Sequence, residues 1–175
     1  MNRPSASTGT RLEAVMTSNG FTTCLWFDGE AEAAADYYVS LFKGGKLGRV
    51  ARYPETGPGQ TGAVMTVEFE INGQRFVGLN GGPQFTFSEA ISFQIDCDDQ
   101  AEADHYYDAL TKDGGEESAC GWVKDKFGVS WQVIPAGFTE LVADPDPERA
   151  ARAMAAMMKM KRLDLAELRR AADAS

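Results

Sequence analysis

The chain repeats itself, and that constrains its fold more than any single motif. Displacing the sequence by 69 residues lays Tyr37-Tyr38 on Tyr106-Tyr107, Leu41 on Leu110, Lys43 on Lys112 and Gly45 on Gly114. The same displacement places Thr23 on Ser92 and Leu25 on Gln94. A shared Tyr-Tyr-x-x-Leu-x-Lys inside a matching order of elements reads as a duplication. Each half is then one supersecondary unit that cannot bury its apolar face alone.

The two halves follow the same plan. Residues 21–27 (FTTCLWF) are rich in Thr, Phe and Trp and predict a strand, which Asp28-Gly29 ends. Residues 30–42 predict a helix whose apolar stripe is Ala34, Tyr38 and Leu41, and Gly44-Gly45 stops it. A strand over 46–53 leads into a loop, PETGPGQTG. Residues 64–71 alternate, with Met65, Val67 and Phe69 on one face and Thr66, Glu68 and Glu70 on the other. Asn72-Gly73 is a hairpin turn returning into 75–80, and Gly81-Gly82-Pro83 closes the half. The second half begins with a strand over 90–97. Asp99 and Glu102 form a capping box, and Ala103, Tyr107 and Leu110 repeat the stripe. Strands over 116–123 and 129–134 follow, the last ending at Pro135.

The expected fold is α+β: duplicated βαβββ units, 21–83 and 89–135, forming a curved open barrel with C-terminal helices. Each sheet covers one face with its helix. Pairing the two open faces, within or between chains, makes a concave ligand site. Residues 1–20 are polar and Ser/Thr-rich, lack a secretory core, and are expected to be a disordered leader. Residues 136–175 read as a helical extension. Asp146 caps and Pro147 opens a helix with Ala150, Met154, Met157 and Met158 on one face, and Asp164 with Glu167 opens another. The Met face suits packing on the barrel, on a dimer mate or on another protein.

A net charge of −9 argues against a nucleic-acid partner. No apolar run reaches the ~18 residues of a membrane span. Cys24, Cys97 and Cys120 form an odd set without C-x-x-C spacing, which reads as reduced, buried thiols in a cytoplasmic protein.

Several stretches resemble a known family. They are LWFDG at 25–29, VMTVEF at 64–69, LNGGP at 79–83, AISFQ at 90–94 and CGWVKDKFGVSWQVIP at 120–135. Together with the duplication they resemble the vicinal oxygen chelate superfamily, which includes glyoxalase I, extradiol dioxygenases and bleomycin-binding proteins. Within it they are most similar to the PhnB-like branch, whose members often carry the name 3-demethylubiquinone-9 3-methyltransferase-like. The resemblance implies metal ligands, usually His, Glu or Gln, on the first and last strands of each unit. Carried over, those positions fall at Thr23, Asn80, Ser92 and Gln132. Such hydroxyls and amides are weak, uncharged ligands, so no superfamily-type metal site and no cofactor are expected, with a divalent ion kept as the alternative. The single histidine, His105, lies off the helical stripe and reads as solvated.

Strand parity groups Thr23, Leu25 and Phe27 with Ser92, Gln94 and Asp96; with Asn80 and Gln132 they would give a polar floor. Trp26 and Trp131 serve either as its walls or as core. Glu68 and Asp96 are the acid–base candidates, and no catalytic residue is assigned. The methyltransferase name does not fit, because Gly44-Gly45, Gly81-Gly82 and Gly114-Gly115 all follow helices or hairpins. A nucleotide-type donor is usually held by a glycine-rich turn from strand to helix. The expected function is binding of a small molecule by a homodimer. The alternatives are a glyoxalase- or dioxygenase-type enzyme, or an interaction module using the Met-rich extension.

Overall fold

The structure is a computed structural model and describes residues 20–174, so the expected leader, apart from Gly20, lies outside the described residues. The first unit contains β1 (Thr23–Phe27), α1 (Ala31–Leu41), β2 (Lys46–Arg52), β3 (Val64–Ile71) and β4 (Gln74–Asn80). The second contains β5 (Phe93–Cys97), α2 (Gln100–Thr111), β6 (Glu116–Glu117), β7 (Trp122–Lys124) and β8 (Ser130–Pro135). The sheets have the same topology, β1-β4-β3-β2 and β5-β8-β7-β6. In each, the first strand runs parallel to the last and the other pairs are antiparallel. The duplicated βαβββ architecture is therefore as expected.

One expected strand divides. Residues 116–123 become β6 and β7 because the small residues between them turn the chain, with Cys120 at φ 58 and Gly121 at φ 81. A Cβ on Gly121 would stand 2.9 Å from Leu163, so both the backbone sign and the space call for glycine here.

The offset between the halves is not constant. Between the helices it is 69, and the matched Tyr38 and Tyr107 are both fully buried. Between the strands it is 70: Leu25 and Phe27 face the core, and their counterparts are Ile95 and Cys97. Three residues link β1 to α1, and two link β5 to α2. After α2, Asp113 at φ 54 supplies the missing residue, so Gly44-Gly45 corresponds to Gly114-Gly115. A one-residue slip in a strand moves every side chain to the other face. Gln94 and Asp96 are thus not equivalent to Leu25 and Phe27, which corrects the parity expected from a single displacement.

The helix-covered faces of both sheets share one core. Tyr38 and Phe42 of the first unit lie 5.6 and 4.9 Å from the Trp131 ring of the second. Phe76 of β4 meets Phe93 of β5 at 5.4 Å. The sheets are back to back through their helix sides, so their other faces look outward. A polar knot fastens the two units inside this core. Asp125, 2% exposed, accepts from the Tyr38 hydroxyl and the Trp131 indole, both at 2.8 Å. Its second oxygen accepts from the Phe127 and Val129 amides.

The extension forms α3 (Phe138–Val142), α4 (Pro147–Met157) and α5 (Leu165–Asp173) around a small second core. Asp146 and Asp164 cap α4 and α5 as expected. The extension docks on the second unit. The Cys120 and Gly121 amides donate to Met160 and Lys161 carbonyls, and Gln100 bridges the Leu163 carbonyl and Leu165 amide at 2.9 Å each. Arg162 lies over the Tyr107 ring and pairs with Asp104 and Asp108. The expected Met face is rotated. Ala153 is buried and Met157 half-buried, whereas Met154 and Met158 are exposed, because α5 approaches α4 closely enough to require the small alanine.

Candidate ligand-binding faces

Alternation along each strand decides which residues stand on the two outward faces. On the first sheet, Cys24 of β1 neighbours Val77 of β4, which neighbours Glu68 of β3. The next row is Trp26, Leu79 and Thr66. The Trp26 indole donates to the Gly82 carbonyl at 2.7 Å, and its ring meets Phe85 edge-on. Toward β2 this face carries a depression of about 600 Å³. There Glu68 pairs with Arg49 at 2.7 Å and Glu70 with Lys46 at 3.7 Å.

On the second sheet the central row is Trp122, Gln132 and Gln94, across β7, β8 and β5. Gln132 donates to the Ser92 hydroxyl at 2.9 Å and Gln94 to the Asp96 carboxylate at 2.7 Å. Lys124, on the same face, pairs with Glu89.

The sequence-predicted residues divide between the faces. Trp26, Gln94, Gln132, Asp96 and Glu68 stand outward, and Ser92 joins them through its bond to Gln132. Leu25 and Trp131 are core residues at 5% and 3% exposure. Thr23 lies on the helix side and accepts from Gln74. Asn80 is also on the helix side. Its oxygen accepts from the Ala31 amide, the first N–H of α1, and its nitrogen donates to the Val64 carbonyl. It caps a helix and ties a loop instead of lining a floor. The expected single polar floor is corrected to two unlike faces, one with Trp26, Val77 and Leu79 beside the Glu68–Arg49 and Glu70–Lys46 pairs and one rich in amides.

Trp122, Val77 and Leu79 were not among the expected pocket residues, and Cys24 was expected only as a buried thiol. Counting parity back along β7 and β8 from the buried Trp131 would have found Trp122. Asp125, between the two expected strands, was not marked either. The usable signal was Asp125 three residues before Gly128, which is how a carboxylate folds back on its own turn.

The thiols differ from expectation as well. Cys97 is buried, Cys120 half-buried and Cys24 exposed on the outward face. Burial pushes the Cys97 thiol up to about 12, and partial burial raises Cys24 too, so both keep their protons at neutral pH. Burial also raises the Asp125 carboxyl, although the Trp131, Tyr38, Phe127 and Val129 hydrogen bonds pull the other way. His105 is exposed on α2.

The superfamily's metal can be tested against these faces. On the first and last strands of each unit, the outward positions hold Cys24, Trp26, Val77 and Leu79, then Gln94, Asp96, Gln132 and Ile134. That set offers one thiol, one carboxylate already bonded to an amide, and two amides. It does not fit a divalent ion, which needs several charged or imidazole donors. Among the described residues, no three His, Cys, Asp or Glu side chains are grouped to hold one. Among the described residues, no glycine-rich turn joins strand to helix: β1 reaches α1 through Asp28-Gly29-Glu30, β5 reaches α2 through Asp98-Asp99, and β8 reaches α3 through Ala136-Gly137. No helix among the described residues is long and apolar enough to cross a membrane.

Comparison with known proteins agrees with this architecture. A family model described as 3-demethylubiquinone-9 3-methyltransferase matches residues 19–134, leaving out the helical extension. No curated protein matches the chain. Among solved structures, the PhnB protein from Bacillus cereus is 35% identical, with 65% of this chain and 97% of that one covered and a TM-score of 0.59. Protein PA1353 from Pseudomonas aeruginosa shares the fold at 21% identity, with 63% and 92% covered and a TM-score of 0.52. The chain belongs to the 3-demethylubiquinone-9 3-methyltransferase family, the PhnB-like branch of the vicinal oxygen chelate superfamily.

Proposed function

We propose that the protein binds a small molecule, without a metal ion, in a cup assembled when the first sheet of one copy faces the second sheet of another. The observation that carries this reading is the shared core. Because both sheets spend their helix sides on each other, their outward faces cannot close on one another within a chain. Those faces nevertheless carry half-buried Trp26, Val77 and Leu79 on one sheet and Trp122 and Ile134 on the other. Uncovered apolar side chains of this size mark an interaction surface. A second copy would cover their rims and leave a tryptophan-walled hollow between them.

The test is sedimentation and native mass spectrometry of the full chain, with and without a chelator. The expected species is a dimer whose mass and ligand retention do not change when the chelator is added. A Leu79→Lys variant should shift it to monomer while keeping its helical circular dichroism. A wild-type monomer, or ligand binding that the chelator abolishes, would overturn the reading.

A further inference from the structure

The second sheet's outward face has a chemical bias that its hydrogen bonds define. A carboxylate only accepts, so the Gln94 side chain must turn its nitrogen to Asp96 and its carbonyl oxygen away. Gln132 donates its nitrogen to the Ser92 hydroxyl, which leaves its carbonyl oxygen on the same face. These bonds leave two amide oxygens and the other oxygen of Asp96 free to accept, beside the second N–H of each amide. Trp122 stands next to Gln132 in the same row, giving an indole beside the acceptors. The cation on this face, Lys124, is paired with Glu89, and no ion pair engages Asp96 among the described residues. The wall proposed to face it offers the apolar surface of Trp26, Leu79 and Val77, with Glu68 in the Val77 row paired to Arg49.

We infer that the cup takes a planar cation rich in hydrogen-bond donors, an amidinium or guanidinium on an apolar body, with Asp96 as its anchor. This rests on the proposed cup between copies and adds the ligand's charge and shape. The planar donors would meet the amide and carboxylate oxygens, and the indole would favour the positive charge. An anion would meet Asp96 and a chain of net charge −9.

The experiment titrates the full-length protein with benzamidine, benzamide and benzoate. Nuclear magnetic resonance reads the side-chain amides of Gln94 and Gln132 and the indole of Trp122. Benzamidine should move these signals, and benzamide should bind about tenfold or more weaker, since it lacks the charge-assisted contact. Asp96→Asn should weaken benzamidine by a similar factor without changing the oligomeric state. Benzamide or benzoate binding as well as benzamidine, or Asp96→Asn binding like the wild type, would refute the cationic class and leave the cup standing. No probe moving these signals in a monomeric protein would refute both.

Discussion

Removing one oxygen atom tests how the two units are held together. Tyr38→Phe keeps the ring that stacks on Phe69 and tilts against Trp131, and deletes only the hydroxyl that donates to Asp125. A buried hydrogen bond to a charged group contributes about 1.5–3 kcal/mol, and one between neutral groups about 0.5–1.5 kcal/mol. The sign with pH follows from Asp125. Burial raises its carboxyl in the folded chain above the usual 3.8, so its own contribution to stability is fully present below that value. That contribution is lost as pH rises through the folded value. Over the same rise the Tyr38 hydroxyl passes from a neutral partner to a carboxylate. The penalty of Tyr38→Phe should therefore be small in acid and grow toward about 1.5–3 kcal/mol at neutral pH. Urea unfolding midpoints of both proteins between roughly pH 3 and 7 measure it, with unchanged slopes required for the comparison. An equal penalty at every pH would mean that the hydroxyl does not bond an ionising Asp125. No penalty at all would remove the knot from the account of how the units are oriented.

Two further substitutions probe the same framework. Gly121→Ala places a methyl 2.9 Å from Leu163 on a backbone at φ 81, and should cost more than about 1 kcal/mol and loosen the extension, read as faster amide exchange across α4 and α5. Asn80→Ala removes the acceptor for the first amide of α1, and should lower stability by about 1 kcal/mol in urea unfolding while leaving any probe binding unchanged, because Asn80 lies on the helix side.

The elements of this fold were legible because local signals agreed. The Asn72-Gly73 turn adopts two left-handed residues, as its composition demands, and joins β3 to β4 in the register that alternation along 64–71 requires. Glycine pairs end the first turn of connection after both helices, where a Cβ on Gly45 or Gly115 would strike a helix carbonyl. The docking of the extension was not legible. It depends on main-chain bonds from Cys120 and Gly121 and on a bridging Gln100 amide, none of which leaves a periodic trace. Asp125 was hidden for a related reason. Between Lys124 and Lys126 a carboxylate looks solvated, and only the turn that folds it inward, under Tyr38, removes it from water.

The candidate site turned on a single residue of loop. Helix periodicity tolerates a one-residue difference in the link from strand to helix, because the apolar stripe simply rotates into place. A strand does not, since its side chains alternate with period two. The displacement that aligned the helices so well therefore put Leu25 opposite Gln94 and assigned a core residue and an outward amide to the same face. Restoring the extra residue between β1 and α1 separates them. Trp26, Val77 and Leu79 then gather on one sheet, and Gln94, Asp96 and Gln132 on the other. The two units thus present unlike outward faces on the same topology. In the proposed cup, one of each would meet a ligand with different chemistry at its two ends.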